Sequence, residues 1–233
     1  MKILAIILAR GGSKRIPQKN LKKINGKSLV EITINQAFSS KYIKDVIVST
    51  DDSTIRKVSL ESGAKVIDRP LEYKDDNTIN EADNIIIDLI KKLEINNVYF
   101  DTFVLLYPTA PLRTTEDIDR TIEKLTVENF DSALTLVKDH SYMWQSDIKS
   151  SKLSPINYDP KKRMPSTFHN FVQYRENKAV YAFTRELIIK SKCRIGGKIG
   201  FILMSPLYSI DIDNPEDLTL AKILTNLQNQ EKL

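Results

Sequence analysis

The stretch "IILARGGSKRIPQKNL" (residues 6–21) decides how this chain is read. An apolar run from Ile3 stops at Ala9. A loop follows with two glycines and four cations, Arg10, Lys14, Arg15 and Lys19, and no acid to pair with them. A short continuous apolar run fits a strand buried on both faces of a parallel sheet. A glycine-containing basic loop at its end can cradle phosphates: the backbone approaches closely, amides point inward and cations neutralise oxyanions. The spacing is neither Gly-x4-Gly-Lys-Ser/Thr nor Gly-x-Gly-x-x-Gly, so the two common nucleotide motifs are absent. A solvated basic loop is the plainer alternative, yet Arg10 abuts a strand end, which is where ligands of α/β sheets bind.

The same strand-then-loop rhythm continues along the chain. Apolar strands are expected at 45–50, 64–67, 103–106, 132–137 and 199–204, with helices at 29–38, 53–62, 81–93, 114–125 and 215–227. Thr114 is the N-cap of one helix and Asp117 sits at its capping-box position. Strands and helices alternate at intervals of roughly 25 residues, the pattern of a mostly parallel sheet with helices on both faces. In this arrangement the opening loop, Asp51–Asp52, Arg69–Pro70 and "YPTAPLR" (107–113) all fall at carboxyl ends of strands and converge on one crevice. The regularity breaks between 138 and 178, where Tyr142, Trp144, Tyr158, Phe168, Phe171, Tyr174 and both histidines lie. This excursion of hairpins or loops is either an interface or a local aromatic mini-core. The whole chain, 1–233, reads as one domain, and the polar tail from Asn226 reads as frayed.

Composition narrows the class. The chain carries 35 Lys and Arg against 30 Asp and Glu, net +5, and is 41% hydrophobic. The mild positive balance favours an anionic partner. The charges are interspersed, without a long basic arm, so nucleic acid is not expected. Cys193 is the only cysteine, which excludes an intrachain disulfide and fits a reducing, cytoplasmic setting. Ile3 to Ala9 is too short for a signal-peptide core, and no apolar segment approaches the ~20 residues of a membrane span.

Two further segments carry chemistry. In "SIDID" (209–213), an extended backbone puts Asp211 and Asp213 on one face and Ile210 and Ile212 on the other. Two carboxylates on one face suit Mg²⁺ shared with phosphates, while solvated acids beside the helix start Asn214–Pro215 are the plainer reading. The loop 10–21 resembles the signature of the acylneuraminate cytidylyltransferases, the CMP-sialic acid synthetases, and more distantly of the 3-deoxy-manno-octulosonate cytidylyltransferases. "LLYPTAPLR", "DRPLEY", "YRENKAVY" and "SIDID" are similar to further segments of that family, so the resemblance runs from Ile3 to about Leu224.

The resemblance implies a Rossmann-like α/β fold of the nucleotide-diphospho-sugar transferase type, with a small excursion used for dimerisation. It implies transfer of CMP from CTP to the anomeric hydroxyl of an acidic 2-keto sugar, with pyrophosphate released and Mg²⁺, or Mn²⁺, as cofactor. A homodimer is expected. The family roles fall on Arg10, Gly11, Gly12, Ser13, Lys14, Lys19 and Asn20 for the nucleotide, Arg69 for cytosine and Thr78 in a loop over the nucleotide, where Asp76 also lies. Asp211 and Asp213 fall to the metal, with Arg10 and Lys19 counted beside them as catalytic. Asn80, Tyr107, Asn177 and Tyr181 fall to the sugar acid, with Arg163 or Arg175 for its carboxylate. Two departures stand out: Tyr107 replaces the family's Gln and Lys178 its Gly. Tyr lacks the amide's paired donor and acceptor, which bears on the acceptor sugar, and Lys178 is expected to point to solvent. Neither histidine lies in a matching motif, so His140 and His169 are expected to be structural. A sister enzyme for legionaminic, pseudaminic or octulosonic acid, and a non-catalytic nucleotide binder, are the rival readings.

Overall fold

The computed structural model describes residues 1–70, 73, 81–147, 149–150, 152–163 and 172–229. Its centre is a seven-stranded sheet. In chain order the strands are β1 (Ile3–Leu8), β4 (Asp45–Thr50), β5 (Lys65–Asp68), β6 (Thr102–Leu106), β7 (Ser132–Asp139), β10 (Gln173–Thr184) and β11 (Ile199–Leu203). Their order across the sheet is β11-β7-β10-β6-β1-β4-β5. β10 alone runs antiparallel, against both β6 and β7. Two short pairs, β2 (Lys23–Ile24) with β3 (Lys27–Ser28) and β8 (Trp144–Ser146) with β9 (Leu153–Pro155), lie outside it.

All six residues of β1 are buried, because helices cover both faces. On one face α1 (Leu29–Ser39), α2 (Ser53–Glu61) and α4 (Thr115–Thr126) pack Val30, Ile34, Ile55, Ile118 and Ile122 onto Ala5, Ile7 and Val104. On the other, α3 (Glu81–Ile95) and α5 (Arg185–Ser191) press Ile86, Ile90 and Ile188 onto Leu4, Ile6, Phe103 and Phe183. Thr114 and Asp117 form the expected capping box, with the Asp117 amide donating to Thr114 Oγ1 at 3.1 Å and the Thr114 amide to Asp117 Oδ2 at 2.8 Å. A third cluster joins Ile16, Ile24 and Leu29 to Ile212 and to Ala221 of α6 (Pro215–Asn229), so the last helix seals the opening loop.

The topology locates the ligand site. From β1 the chain steps through β4 and β5 to one side, then returns to place β6 on the other side of β1. That reversal is a switch point, and the carboxyl ends of β1 and β6 flank the crevice it opens. Loop 10–21 and segment 107–113 leave those two ends.

Two expectations about the second half are corrected. The excursion ends at 172 rather than 178, because Gln173 begins a twelve-residue strand of the main sheet. It escapes a periodicity reading because a bulge between Glu176 and Tyr181 shifts its register on β7. "SIDID" is not a sheet strand; it is irregular chain held by the Ile212 amide donating to the Thr109 carbonyl at 2.8 Å. Phe168, Phe171 and His169 lie outside the described residues, as do residues 230–233 of the tail, whereas 226–229 continue α6. His140 is exposed just past β7.

Candidate active site

Residues from the first loop and from the segments that follow β5 and β6 line one cleft of about 450 Å³ at the switch point. Arg10, Ser13, Lys14, Arg15, Lys19 and Asn20 form its basic side, and Arg69, Glu81 and Tyr107 form the opposite wall. Loop 10–21 is held in shape by its own polar groups. Asn20 is buried and its amide donates to the Arg10 carbonyl at 2.9 Å, tying the loop's end to its start. The Gly11 amide donates to Asp51 Oδ1 at 2.9 Å, and a Cβ on Gly11 would stand 2.7 Å from Asp52 Oδ2. Only glycine fits there, and the neighbour that demands it is a protein carboxylate. Gly12 has open space on its Cβ side. Asp51 and Asp52 thus shape the loop and cap α2, through Asp52 and the amides of Thr54 and Ile55.

Lys19 joins this loop to the other end of the chain. Its Nζ donates to the Ile212 carbonyl at 2.7 Å and to Asp213 Oδ1 at 3.1 Å. Arg15 reaches the same Asp213 oxygen at 3.0 Å. Burial would push the Asp213 carboxyl up, but Lys19, Lys178 and Arg15 together outweigh it and hold the group below its ordinary range. Asp211 and Asp213 do face a common point, because one ammonium, Lys178 Nζ, lies 2.7 Å from Asp211 Oδ2 and 4.0 Å from Asp213 Oδ2. Lys178 therefore meets carboxylates, not solvent alone, which corrects the expectation. Two hard carboxylate oxygens aimed at one point and tied by Lys19 to a basic cleft are the donor set a divalent ion shares with phosphate oxygens. Among the described residues no group of three or more His, Cys, Asp or Glu could hold a metal by protein ligands alone.

Arg69 is buried in the cleft wall. Its Nε donates to the Tyr73 carbonyl at 2.8 Å and its Nη2 pairs with Glu81. Tyr107 lines the cleft edge-on to Tyr181, with ring centroids 6.2 Å apart, and burial pushes its hydroxyl pKa up. Tyr181 itself is buried and donates to Glu176 Oε2 at 2.8 Å. Asn177 is 0% exposed, and every polar atom of its amide is engaged. Oδ1 accepts from Thr135 Oγ1 at 2.7 Å and from the Ala179 amide, while Nδ2 donates to Ser209 Oγ at 3.0 Å and to Met204 Sδ. Asn177 and Tyr181, expected at the sugar acid, are buried in the wall with their side-chain polar atoms bonded to the protein. Arg163 stacks over the Tyr142 ring at 4.7 Å, and Arg175 sits 3.7 Å from Asp139, so neither lines the cleft of its own chain. Asp76, Thr78 and Asn80 lie outside the described residues.

Two arginines that the sequence reading left unassigned hold the wall. Arg113 is 1% exposed and its Nη1 clamps the carbonyls of Tyr107 at 2.7 Å and Ala179 at 3.1 Å. It locks the end of β6 to the bulge of β10. Burial pulls its pKa down to about 9, and Asp117 opposes that pull, so the guanidinium stays charged at neutral pH. Arg194 pairs with Asp83 at 2.7 Å and lies over the Tyr181 ring at 4.8 Å. The signal for Arg113 was its place in "LLYPTAPLR"; Arg194 has no local signal, since Asp83 is remote in sequence.

The cytidylyltransferase family profile matches residues 4–227. The chain belongs to that family. It is 33% identical over its whole length to the whole of the Legionella pneumophila CMP-N,N'-diacetyllegionaminic acid synthase. It is also 33% identical, over 94% of its length, to N-acylneuraminate cytidylyltransferase A of Danio rerio, of which it spans about half (50%). A Campylobacter jejuni pseudaminic acid cytidylyltransferase is 29% identical with 99% of both chains covered. In fold, it is similar to a CMP:2-keto-3-deoxy-manno-octonic acid synthetase solved with CTP, at a TM-score of 0.71 and 16% identity, covering 98% of this chain and 100% of that one. The mostly parallel sheet expected from the sequence is thereby the cytidylyltransferase sheet.

The buried Asp83–Arg194 pair gives a test of the wall. Arg194→Met leaves Asp83, 4% exposed, without its partner and is expected to cost about 3–5 kcal/mol of stability. Adding Asp83→Asn to Arg194→Met is expected to recover a large part of that loss, read from urea midpoints at unchanged slope.

Proposed function

We propose that this protein transfers CMP from CTP to the anomeric hydroxyl of an acidic 2-keto sugar and releases pyrophosphate. The observation that carries the reading is Lys19, which lines the basic switch-point cleft and also bonds the Ile212 carbonyl and Asp213, so that the Asp211–Asp213 segment is tied to loop 10–21. Arg10, Lys14 and Lys19 hold the β- and γ-phosphates and stabilise the charge that builds on the leaving pyrophosphate. Arg69, held by Glu81 and the Tyr73 carbonyl, presents its guanidinium at the cytosine side. The acceptor hydroxyl oxygen forms the new bond to the α-phosphorus while the bond to the β-phosphate oxygen breaks, and the hydroxyl proton leaves to solvent. Catalysis is chiefly positioning and charge neutralisation. Asp211 and Asp213 would hold Mg²⁺ or Mn²⁺, which supplies charge neutralisation on the phosphates and a lowered pKa for the bound hydroxyl.

The acceptor is a sialic-acid-like sugar. The names of the relatives span acylneuraminic, legionaminic and pseudaminic acids. Tyr107 in the cleft wall is the residue of this chain that separates it from the family's Gln and so bears most on that choice. The deciding assay is pyrophosphate release from CTP and Mg²⁺ with N-acetylneuraminic, legionaminic, pseudaminic and 3-deoxy-octulosonic acids. One acceptor is expected to dominate, and Asp211→Ala is expected to lower its kcat/KM by about 100-fold or more. A folded, CTP-binding protein with no release from any of the four acceptors contradicts the reading.

The functional unit is a cytoplasmic homodimer. No helix among the described residues is long and apolar enough to cross a membrane. The β8–β9 hairpin exposes Met143, Trp144, Leu153 and Ile156, and the edge strand β11 exposes Ile199, Phe201 and Leu203, with Tyr174 packed 5.2 Å from the Phe201 ring. Large apolar side chains exposed in this number mark an interface. Sedimentation velocity is expected to give a dimer for the wild type and a monomer for Phe201→Glu with Trp144→Glu; a monomeric wild type contradicts the assembly.

A further inference from the structure

Lys178 stands at a position that ordinarily calls for glycine. Its φ is +55°, in the left-handed region that L residues with a Cβ adopt at an energetic cost. The backbone holds it there from both sides. Asn177, before it, has its amide bonded to Thr135 and Ser209, and Ala179, after it, has its carbonyl clamped by Arg113. The bulge of β10 thus aims the Lys178 stem out of the sheet and across to the 209–213 segment. Its side chain is 50% exposed, yet its Nζ is within hydrogen-bond reach of Asp211 and 4.0 Å from Asp213.

The oxygens are partitioned. Lys19 and Arg15 take Asp213 Oδ1, while Lys178 faces Oδ2 of both acids. Its ammonium therefore lies at the point a cation shared by the pair would occupy. An ammonium and a divalent ion both seek those oxygens, and the two charges repel at such a separation.

We propose that Lys178 is a tethered cation that competes with the divalent metal for Asp211 and Asp213, so that metal binds this pair strongly only together with nucleotide. The inference rests on the metal role given above to the two acids. Nucleotide phosphates reverse the competition by adding hard oxygen ligands to the metal and negative charge that draws the lysine away from the carboxylates. Lys178 then acts as a positioning residue, keeping the acids paired and oriented until the metal nucleotide arrives.

The test is Mn²⁺ binding followed by electron paramagnetic resonance, without and with CTP, on wild type, Lys178→Met, Lys178→Gly, and Lys178→Met with Asp211→Asn. Lys178→Met keeps the stem length, and Lys178→Gly also relieves the left-handed backbone. Without CTP, both single variants are expected to bind Mn²⁺ about tenfold more tightly than wild type, and Asp211→Asn to cancel that gain. With CTP, wild type and the Lys178 variants are expected to fall within about threefold of one another, since charge-assisted contacts to the acids are then made by metal and phosphates. Equal affinities without CTP, alongside CTP-dependent Mn²⁺ binding that needs Asp211, overturn the role of Lys178 and leave the metal reading standing. No Mn²⁺ bound at the pair in any variant, with or without CTP, overturns both.

Discussion

The backbone of Ile212 is where three remote stretches of this chain meet. Its amide donates to Thr109, its carbonyl accepts from Lys19, and its side chain is buried among Ile16, Ile24 and Leu29. The two acids on either side, Asp211 and Asp213, are thereby carried to the basic loop although they lie about 190 residues from it, 194 from Lys19 to Asp213. Without that pin the acids would be solvated groups ahead of a helix, and the loop would be four cations with nothing to organise them. The hydrophobic cluster fixes the distance, and the polar contacts fix the direction.

Charge balance follows from the same arrangement. Arg15, Lys19 and Lys178 neutralise two carboxylates at short range, leaving the remaining basic groups of loop 10–21 to set the sign of the cleft. A cleft of that sign suits a triphosphate, and the wall opposite supplies the aromatic and guanidinium surfaces a base and a sugar need. The wall is stiff because its components are buried and cross-braced. Arg113 binds two carbonyls, Arg194 pairs with Asp83, and the Asn177 amide leaves no polar atom unused. Preorganisation of this kind keeps the cost of ordering low when ligands bind.

Much of the fold was legible in the sequence because parallel strands are buried on both faces and announce themselves as short apolar runs between loops. The first loop was legible for the same reason: four cations at a strand end have few structural uses. The N-cap at Thr114 could be read from two residues alone. What escaped was set by tertiary contacts. The bulge at 176–181 hides β10 from any periodicity, and a buried Asn177 is indistinguishable in sequence from one that touches a ligand. The solvent assignment for Lys178 failed because its left-handed backbone and its partner Asp211, 33 residues away, leave no local trace. Arg194 meets Asp83 across 111 residues and leaves no local trace.

The central claim is that the two ends of the chain build one site for a metal triphosphate. A crystal structure of the protein with CTP and Mn²⁺, with the manganese located by anomalous scattering, tests it most directly. The expected result is manganese held by Asp211 and Asp213, with the triphosphate against Arg10, Lys14 and Lys19 and the cytosine near Arg69. A triphosphate seated elsewhere, or manganese bound away from both acids, would contradict it.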